Sequence, residues 1–355
     1  MPDGCHGPAR ALAAFEVGCL ACNALSSGLH GPGLHGPGLH GPGLHGPGLH
    51  GPGLRGTVSA VFERSFYIHL AGQEVCLGPP GLGAGPLNLR CHVARPDWRA
   101  WGLRQGAAAF LAPRAIRVPP NLTISFTEAA VWRPKAPGHW SGASLAAGLH
   151  ALDALLPGRV PAEGLGVLAL RCDPGTRRPA VAAAARPPAA ALARYLRCAL
   201  ARPLGARSLG ATAPAPTPTA PDLRALIGLG PGLTPSGDDL LGGALVALHL
   251  LGRIDLRDAL WCGIRGHAVR EWARADANAI SRAHLTAAAQ GLGGAALHAV
   301  LNDILTGTTA ALPRRLAAVE AIGHTSGWDA LAGAVLVLRA VALAAAPPSA
   351  TNWRT

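Results

Sequence analysis

The sequence predicts an α+β fold, with an N-terminal β-rich domain followed by a mainly α-helical C-terminal domain. Apolar and polar residues alternate in two stretches between residues 57 and 135, a pattern typical of half-buried strands. Apolar residues recur with helical spacing through most of residues 223–346. The stretch 210–222 is rich in proline, alanine and threonine and is predicted to be a linker in front of the helical domain.

The first residues are dominated by a repeat. The sequence "GLHGP" occurs five times from residue 28 and ends in "GLRG". Glycine and proline at this density disfavour both helices and strands. We therefore expect residues 1–55 to form a disordered segment whose deletion leaves stability nearly unchanged. The five repeat histidines could bind a metal ion, but a tandem expansion without function is the favoured explanation.

A β-rich domain is predicted over residues 56–140. Phe66, Ile68 and Leu70 fall on one face of a strand, and "AGQ" follows where a hairpin would turn. The stretch "NLTISFTEAAVW" alternates in the same way. Residues 141–209 are predicted to be a mixed α/β segment that contains the helix "SLAAGLHALDALL", the short buried strand "GLGVLALRC" and the helix "PPAAALARYLRCALARPL", with proline near its first turn.

Six helices are predicted in the C-terminal domain, with Gly291 and Gly307 as C-terminal stops. They cover residues 238–251, 258–274, 277–290, 294–306, 313–322 and 328–346. The last one is apolar nearly all round, but Arg339 interrupts it and its apolar run falls short of the roughly 20 residues that cross a bilayer. It is therefore predicted to be a buried helix, and no membrane is expected as a partner.

Composition argues against several classes of function. The formal net charge is +12, but the cations are scattered arginines with Lys135 as the only lysine, so no nucleic-acid partner is expected. The first 25 residues lack the clean apolar stretch of a signal peptide, and a cytoplasmic location is expected. The eight cysteines show one CxxC spacing, at Cys19 and Cys22, and neither a disulfide framework nor a zinc site is expected.

The most informative stretch is "GLGPGLTPSGDDLLGG" at residues 228–243, because "SGDDLLGG" is echoed by "SGWDALAG" at residues 326–333. In each copy a serine stands three residues before an aspartate at the start of an apolar helix. This spacing predicts two capping boxes, Ser236 with Asp239 and Ser326 with Asp329. Glycine one turn further along each helix would let the two helices approach closely.

Capping alone does not explain the turn in front of the first copy. A glycine-rich turn leading into a helix exposes N–H donors that suit an anion, and Gly230 and Gly232 supply it here. Asp238 and Asp239 would repel a bare phosphate, so they would hold a divalent cation such as Mg²⁺ or accept hydrogen bonds from an amide or amine. The turn thus favours a ligand with an anionic end and an N–H-bearing end. Two helix caps at a helix crossing are the alternative.

The two aspartates differ in one respect. Asp239 matches Asp329 and is predicted to cap its helix, whereas Asp238 is matched by Trp328 and is the acid expected to face a ligand. His324 could act as an acid or base, or simply hydrogen-bond its own loop. Ser281 and His284 lie one turn apart on a predicted helix, where they would line the site or form an ordinary polar face.

At these residues the chain resembles the AllH-like subunit of oxamate carbamoyltransferase. The similarity runs through "GTVSAVFERSFYIHL", "GPPGLGAGPLNL", "AAVWRP", "GLGPGLTPSGDD", "ANAISRAHLTAAAQG" and "IGHTSGWDALAGAVL". It implies carbamoyl transfer between oxamate and carbamoyl phosphate, which gives or consumes oxalurate, in the breakdown of allantoin or related purine nitrogen, together with other subunits. A non-catalytic scaffold subunit is the alternative function.

The candidate site residues all come from the two turns. The candidate catalytic residues are Asp238, Asp239 and His324. The candidate substrate-binding residues are Gly230, Gly232, Thr234, Ser236, Gly237, Thr325, Ser326, Gly327 and Asp329.

Overall fold

The computed structural model describes residues 9–30, 54–171, 179–200, 221–272 and 279–345. The chain divides into two compact units, residues 1–133 and residues 134–355. In their described parts, the first unit is a β structure with one α-helix and the second unit is helical. The predicted α+β class is therefore confirmed. The predicted linker at 210–222 lies outside the described residues except for Pro221 and Asp222.

The N-terminal unit contains nine described strands and one long helix. The strands are β1 (Arg10–Gly18), β2 (Leu54–Val61), β3 (Phe66–Leu70), β4 (Gln73–Gly78), β5 (Asn88–Cys91), β6 (Ala108–Ala112), β7 (Ala115–Val118), β8 (Leu122–Ser125) and β9 (Ala130–Trp132), and the helix is α1 (Cys19–His30).

Eight of these strands close into a barrel. The order in the sheet is β5-β4-β3-β2-β6-β7-β8-β1, and a further pairing of β5 with β1 joins its two ends. β9 runs parallel to the last residues of β1, beyond the point where β8 pairs with the first residues of β1. Closure leaves few unpaired edges, which is how barrels avoid aggregation through exposed strands.

The predicted hairpin is confirmed. β3 and β4 pair antiparallel, with Leu70 opposite Gln73. The turn between them is formed by Ala71 and Gly72, both at positive φ, as tight two-residue hairpins require. Phe66, Ile68 and Leu70 are fully buried in the apolar core of this unit, as their alternation predicts.

The prediction that all of residues 1–55 are disordered is wrong for residues 10–30. β1 pairs with β5, β8 and β9, and Val17, Ala21 and Leu25 are buried in the core of the unit. The stretch "ALAAFEVG" by itself is compatible with a strand. The prediction of disorder for the whole segment was based on the glycine and proline of the neighbouring repeats. The repeats fall almost entirely on residues 31–53, outside the described residues.

The second unit contains eight described long helices. They are α2 (Gly142–Leu155), α3 (Ala180–Leu200), α4 (Ser236–Leu250), α5 (Ile254–Trp272), α6 (Ala279–Ala289), α7 (Ala295–Thr306), α8 (Leu312–Glu320) and α9 (Ser326–Ala345). All six helices predicted after residue 223 are present. Gly307 ends α7 in the left-handed conformation, as predicted.

Two local predictions between residues 141 and 209 are wrong. The predicted strand "GLGVLALRC" contains instead a short 3₁₀ turn, Gly166–Ala169, and no strand accompanies it in the described part of this unit. The predicted helix start at the proline pair is also displaced. α3 begins at Ala180, and Pro187 and Pro188 lie inside it. Buried alanines upstream of the prolines, Ala182 and Ala185 among them, explain the earlier start.

α9 is the central helix of this unit. Its segment Ser326–Ala344 is long and apolar enough to cross a membrane by length and composition, but most of it is buried within the protein. Leu331, Val335 and Leu338 are fully buried against other helices. This burial agrees with the predicted core helix.

Candidate functional site

The two copies of the SGxDxLxG sequence begin α4 and α9, and these two helices make the most extensive helix contact in the unit. The contact depends on glycine. A Cβ atom on Gly243 would lie 1.8 Å from the carbonyl oxygen of Ala330, and one on Gly333 would lie 1.8 Å from that of Leu240. The two contacts correspond position for position, because Gly333 and Ala330 stand in the second copy where Gly243 and Leu240 stand in the first. The helices are therefore packed with a local pseudo-twofold relation.

The predicted capping boxes are wrong for a geometric reason. Ser236 is the first residue of α4, the N-cap position belongs to Pro235, and no side chain caps this helix end. Ser326 is likewise the first residue of α9. One residue into the helix, each serine side chain is placed to reach across to the other helix.

The serines bond the acids of the opposite copy. The Ser236 hydroxyl donates to the Asp329 carboxylate, and the Ser326 hydroxyl donates to the Asp239 carboxylate. Thr234 joins the pair, since its Oγ1 lies 3.0 Å from Ser326 Oγ and it also bonds Asp239. The two predicted turns therefore come together as one polar cluster, which we call the paired helix starts: residues 234–239 and 325–329.

Asp238 is bound internally on both oxygens. Oδ1 accepts the Gly228 N–H at 2.8 Å, and Oδ2 accepts the Ser281 hydroxyl of α6 at 2.5 Å. Asp238 is 3% exposed and Ser281 1% exposed. This geometry links the glycine-rich turn to α4 and α6, and it counts against Asp238 as the acid that faces a ligand.

Asp239 and Asp329 each keep one buried oxygen without a partner. Asp329 is fully buried, and its Oδ1 accepts the Leu165 N–H at 2.5 Å. Its Oδ2 and the Oδ2 of half-buried Asp239 are enclosed and have no hydrogen-bond partner among the described residues. A buried carboxylate oxygen without a donor is costly, so these two atoms are the feature of the site that most needs an explanation.

The environment raises the pKa of all three acids above the ordinary value of an aspartate. Burial is the main cause for Asp238 and Asp329. Burial also raises the pKa of Asp239 well above its ordinary value, and the negative charges of Asp329 and Asp238 raise it further. Neighbouring hydroxyls and N–H groups oppose these shifts. The site therefore favours the protonated form of each acid more than an exposed position would.

The residues do not fit a metal centre. Among the described residues no group of three or more His, Cys, Asp or Glu side chains is placed to hold a metal ion. The Asp238 oxygens are occupied by Gly228 and Ser281. The expected Mg²⁺ thus gains no support from the geometry.

The glycines of the turns serve packing as well as conformation. Gly230 and Gly232 have positive φ, which agrees with a tight turn. A Cβ on Gly237 would lie 1.9 Å from the Leu226 carbonyl oxygen, and one on Gly327 would lie 2.0 Å from that of Val319. The N–H groups of Gly237 and Gly327 already donate to the carbonyls of Leu229 and Ile322. Fewer helix-start donors therefore remain for an anion than the sequence suggests.

His324 lies at the surface beside the second turn. Its side chain is 81% exposed and its Nε2 lies 2.5 Å from the exposed carboxylate of Glu163. Thr325, the next residue, bonds the Asp329 carboxylate. His324 is therefore next to the paired helix starts in sequence, but the contact described for its side chain is with Glu163. His284 is half-buried on α6, and burial lowers its pKa to about 4.

Sequence reasoning missed the segment around Leu165. Its N–H binds Asp329, and a Cβ on Gly164 would lie 2.6 Å from Asp329 Oδ1. "GLGVLALRC" was predicted to be a strand, and no motif marks it as part of the site. From the sequence, Ser281 is expected either to line the site or to belong to an ordinary polar face of its helix. The structure shows it buried and bonded to Asp238.

We expect Ser281→Ala to destabilise the helical unit by about 1–3 kcal/mol, because Asp238 Oδ2 would be left buried without its donor. Chemical denaturation measures this cost. Ser281→Thr keeps the hydroxyl and is the control for its loss. A cost below about 0.5 kcal/mol for Ser281→Ala would show that the bond to Asp238 does not hold the turn.

Fold and site together define an α+β protein whose helical unit contains a duplicated, mutually bonded pair of helix starts. Residues 226–338 match the family described as oxamate carbamoyltransferase subunit AllH. This part of the chain is therefore AllH-like, and the resemblance seen in the two turns is confirmed. The matched range includes α4 to α8, most of α9 and both turns. No solved structure matches the chain.

Proposed function

We propose that this protein is a subunit of a cytoplasmic carbamoyltransferase complex that acts on oxamate or oxalurate and carbamoyl phosphate in allantoin or purine nitrogen breakdown. The observation that carries the proposal is the AllH match over residues 226–338, which spans both turns. The family description refers to a subunit, so other subunits are expected partners. The free cysteines of the described residues accord with a reducing compartment.

The paired helix starts are the proposed substrate site. Both oxamate and carbamoyl phosphate carry an anionic end and an N–H-bearing end. Asp239 is half-buried beside Thr234 and Ser326, so it is the acid best placed to accept a ligand N–H. Asp238 holds the turn through Gly228 and Ser281. We therefore assign ligand contact to Asp239 and positioning to Asp238.

The geometry also supports a scaffold function as a second candidate. Gly243 and Gly333 allow backbone contact between α4 and α9, and the polar groups of the turns largely bond one another. Such an arrangement could stabilise a subunit that only organises its partners. The two candidates differ in whether turnover needs Asp239 once the complex has formed.

The test is carbamoyl transfer in the complex purified through a tag on the full-length chain. We expect oxalurate to form from oxamate and carbamoyl phosphate, and Asp239→Asn to lose most of this activity while the complex still assembles. Asp222→Asn, which changes an exposed aspartate paired with Arg224, is the matched control and should remain active. Full activity of Asp239→Asn would favour the scaffold, and full activity without the chain would refute the proposed function.

A further inference from the structure

Two histidines from different helices contact the short connection between α6 and α7. This connection, residues 290–294, is rich in glycine, and Gly291 has a φ of +78°. His249 lies in the last turn of α4, and a Cβ atom on Gly291 would lie 2.2 Å from its ring. His298 lies on α7, and its Nε2 is 3.0 Å from the Gly293 nitrogen. We call these two side chains the histidine pair.

Hydrogen-bond chemistry determines the protonation of His298. A backbone N–H can only donate, so the bond from Gly293 requires a lone pair on Nε2. The ring is therefore neutral with its hydrogen on Nδ1, and it also bonds the backbone of Gly291. His298 is 8% exposed. Burial lowers its pKa from 6.5 to about 4, His249 acts in the same direction, and the bond to Gly291 opposes the shift.

The same argument applies to His249. Its Nδ1 lies 2.7 Å from Nη1 of Arg257, and a guanidinium has donors but no acceptor. Nδ1 therefore accepts, and the neutral ring has its hydrogen on Nε2. Arg257 is held in place by Asp258, which accepts from its Nε and Nη2. Burial lowers the pKa of His249, and the positive charge of Arg257 lowers it further.

The other charged groups on the neighbouring elements do not favour a charged imidazole. Asp238 and Asp239 lie at the opposite end of α4. The remaining titratable groups on these elements are the pairs Arg253–Asp255 at the start of α5, Asp303–Arg315 between α7 and α8 and Arg339–Asp153 between α9 and α2, together with Tyr195 on α3 and His284 on α6. Among the described residues, no carboxylate opposes the lowered pKa of either histidine.

We propose that the histidine pair makes the α6–α7 connection acid-sensitive: both imidazoles are neutral at pH 7, and protonation of either one replaces an acceptor by a donor and opens residues 290–294. Protonated His298 would direct an N–H at the N–H of Gly293, and protonated His249 would direct one at the Arg257 cation.

The direction of the pH effect follows from where each imidazole binds a proton more readily. In the open connection the rings reach solvent and their pKa values return toward 6.5, so the open form takes up protons before the closed form does. The closed connection is therefore most stable above about pH 6.5. It loses stability as the pH falls toward the folded pKa values.

The connection lies at the far ends of two helices that support the paired helix starts. α4 begins with the turn that contains Asp238 and Asp239, and Ser281, near the start of α6, bonds Asp238. Acid should therefore loosen the last turns of both helices. The proposal does not depend on the proposed function, and its failure would leave the carbamoyltransferase assignment intact.

The test is amide hydrogen exchange of the full-length protein from about pH 7.5 to about pH 5, corrected for the intrinsic effect of pH on exchange. We expect the protection of residues 290–294 to fall by about tenfold for each pH unit below about 6.5. Residues 335–340 of α9, in the core of the same unit, should keep their protection. Protection of residues 290–294 that does not change with pH would overturn the proposal without any variant, and so would an equal fall in residues 335–340.

A double variant identifies the groups that titrate. In His249→Gln combined with His298→Gln, each amide can accept where the imidazole accepts and does not ionise, so the pH dependence of protection should disappear. His150→Gln, which changes an exposed histidine on α2, is the matched control and should retain it. A pH dependence in the double variant equal to that of the unsubstituted protein would assign the effect to other groups and overturn the proposal.

Discussion

Gly243→Ala should destabilise the helical unit by about 3 kcal/mol or more, because the added methyl group would overlap the backbone of another helix. The new Cβ would lie 1.8 Å from the Ala330 carbonyl oxygen, far inside van der Waals contact. That atom belongs to the backbone of a buried helix, so it cannot move aside as a flexible side chain could. The two helices would have to separate along their contact.

The neighbouring glycine is a matched control. A Cβ on Gly242 would meet nothing closer than Ala288 Cβ at 3.7 Å, an ordinary contact. Gly242→Ala should therefore be neutral or stabilising by up to about 1 kcal/mol, the helix preference for alanine over glycine. Urea denaturation of both variants measures the difference. Equal stability of the two would contradict the close approach of α4 and α9.

The equivalent change in the second helix should behave in the same way. A Cβ on Gly333 would lie 1.8 Å from the Leu240 carbonyl oxygen. Because either substitution forces the same two helices apart, the cost of the double variant should fall short of the sum of the single costs. Simple additivity would indicate that the two glycine contacts are independent.

Deleting residues 10–30 should unfold the N-terminal unit. This segment supplies β1, which pairs with β5, β8 and β9, and α1, whose Ala21 and Leu25 are buried in the core. Removing β1 would open the barrel and expose the strands on either side. We expect loss of the cooperative transition of this unit, measured by circular dichroism and limited proteolysis of the full chain.

Shortening the repeat is the control for this deletion. Removing two of the five GLHGP units shortens the connection between α1 and β2 without touching a described element. Loop length changes stability only weakly, by about 0.6 kcal/mol for each doubling. A transition that survives deletion of residues 10–30 would contradict the role of β1 in closing the barrel.

Much of the helical unit could be predicted from sequence because its signals are local. Apolar periodicity located α4 to α9, and Gly307 marks the end of α7. The capping boxes failed because the partners of Ser236 and Ser326 lie about 90 residues away on another helix. Local spacing cannot distinguish a serine that caps its own helix from one that bonds across a crossing.

The other failures have separate physical causes. β1 is a strand because residues distant in sequence pair with it. The local sequence of a short apolar stretch gives only a weak signal for such pairing. Gly166–Ala169 was predicted to be a strand from its apolar composition, but the Leu165 N–H is bound to Asp329 and the chain turns there. The sequence identifies Asp238 and Asp239 as candidate site residues. Which of them contacts a ligand depends on their burial and on their hydrogen-bond partners in the fold.

The central claim is that the paired helix starts bind the substrate, and ligand-dependent thermal stability of the full-length protein tests it most directly. At about a hundredfold excess over Kd, oxamate, oxalurate or carbamoyl phosphate should raise Tm by about 5 °C or more. Asp239→Asn should abolish this rise, since its amide nitrogen puts a donor where a carboxyl oxygen accepts the ligand N–H, while Asp222→Asn should retain it. An equal rise in Asp239→Asn and in the unsubstituted protein would contradict the account.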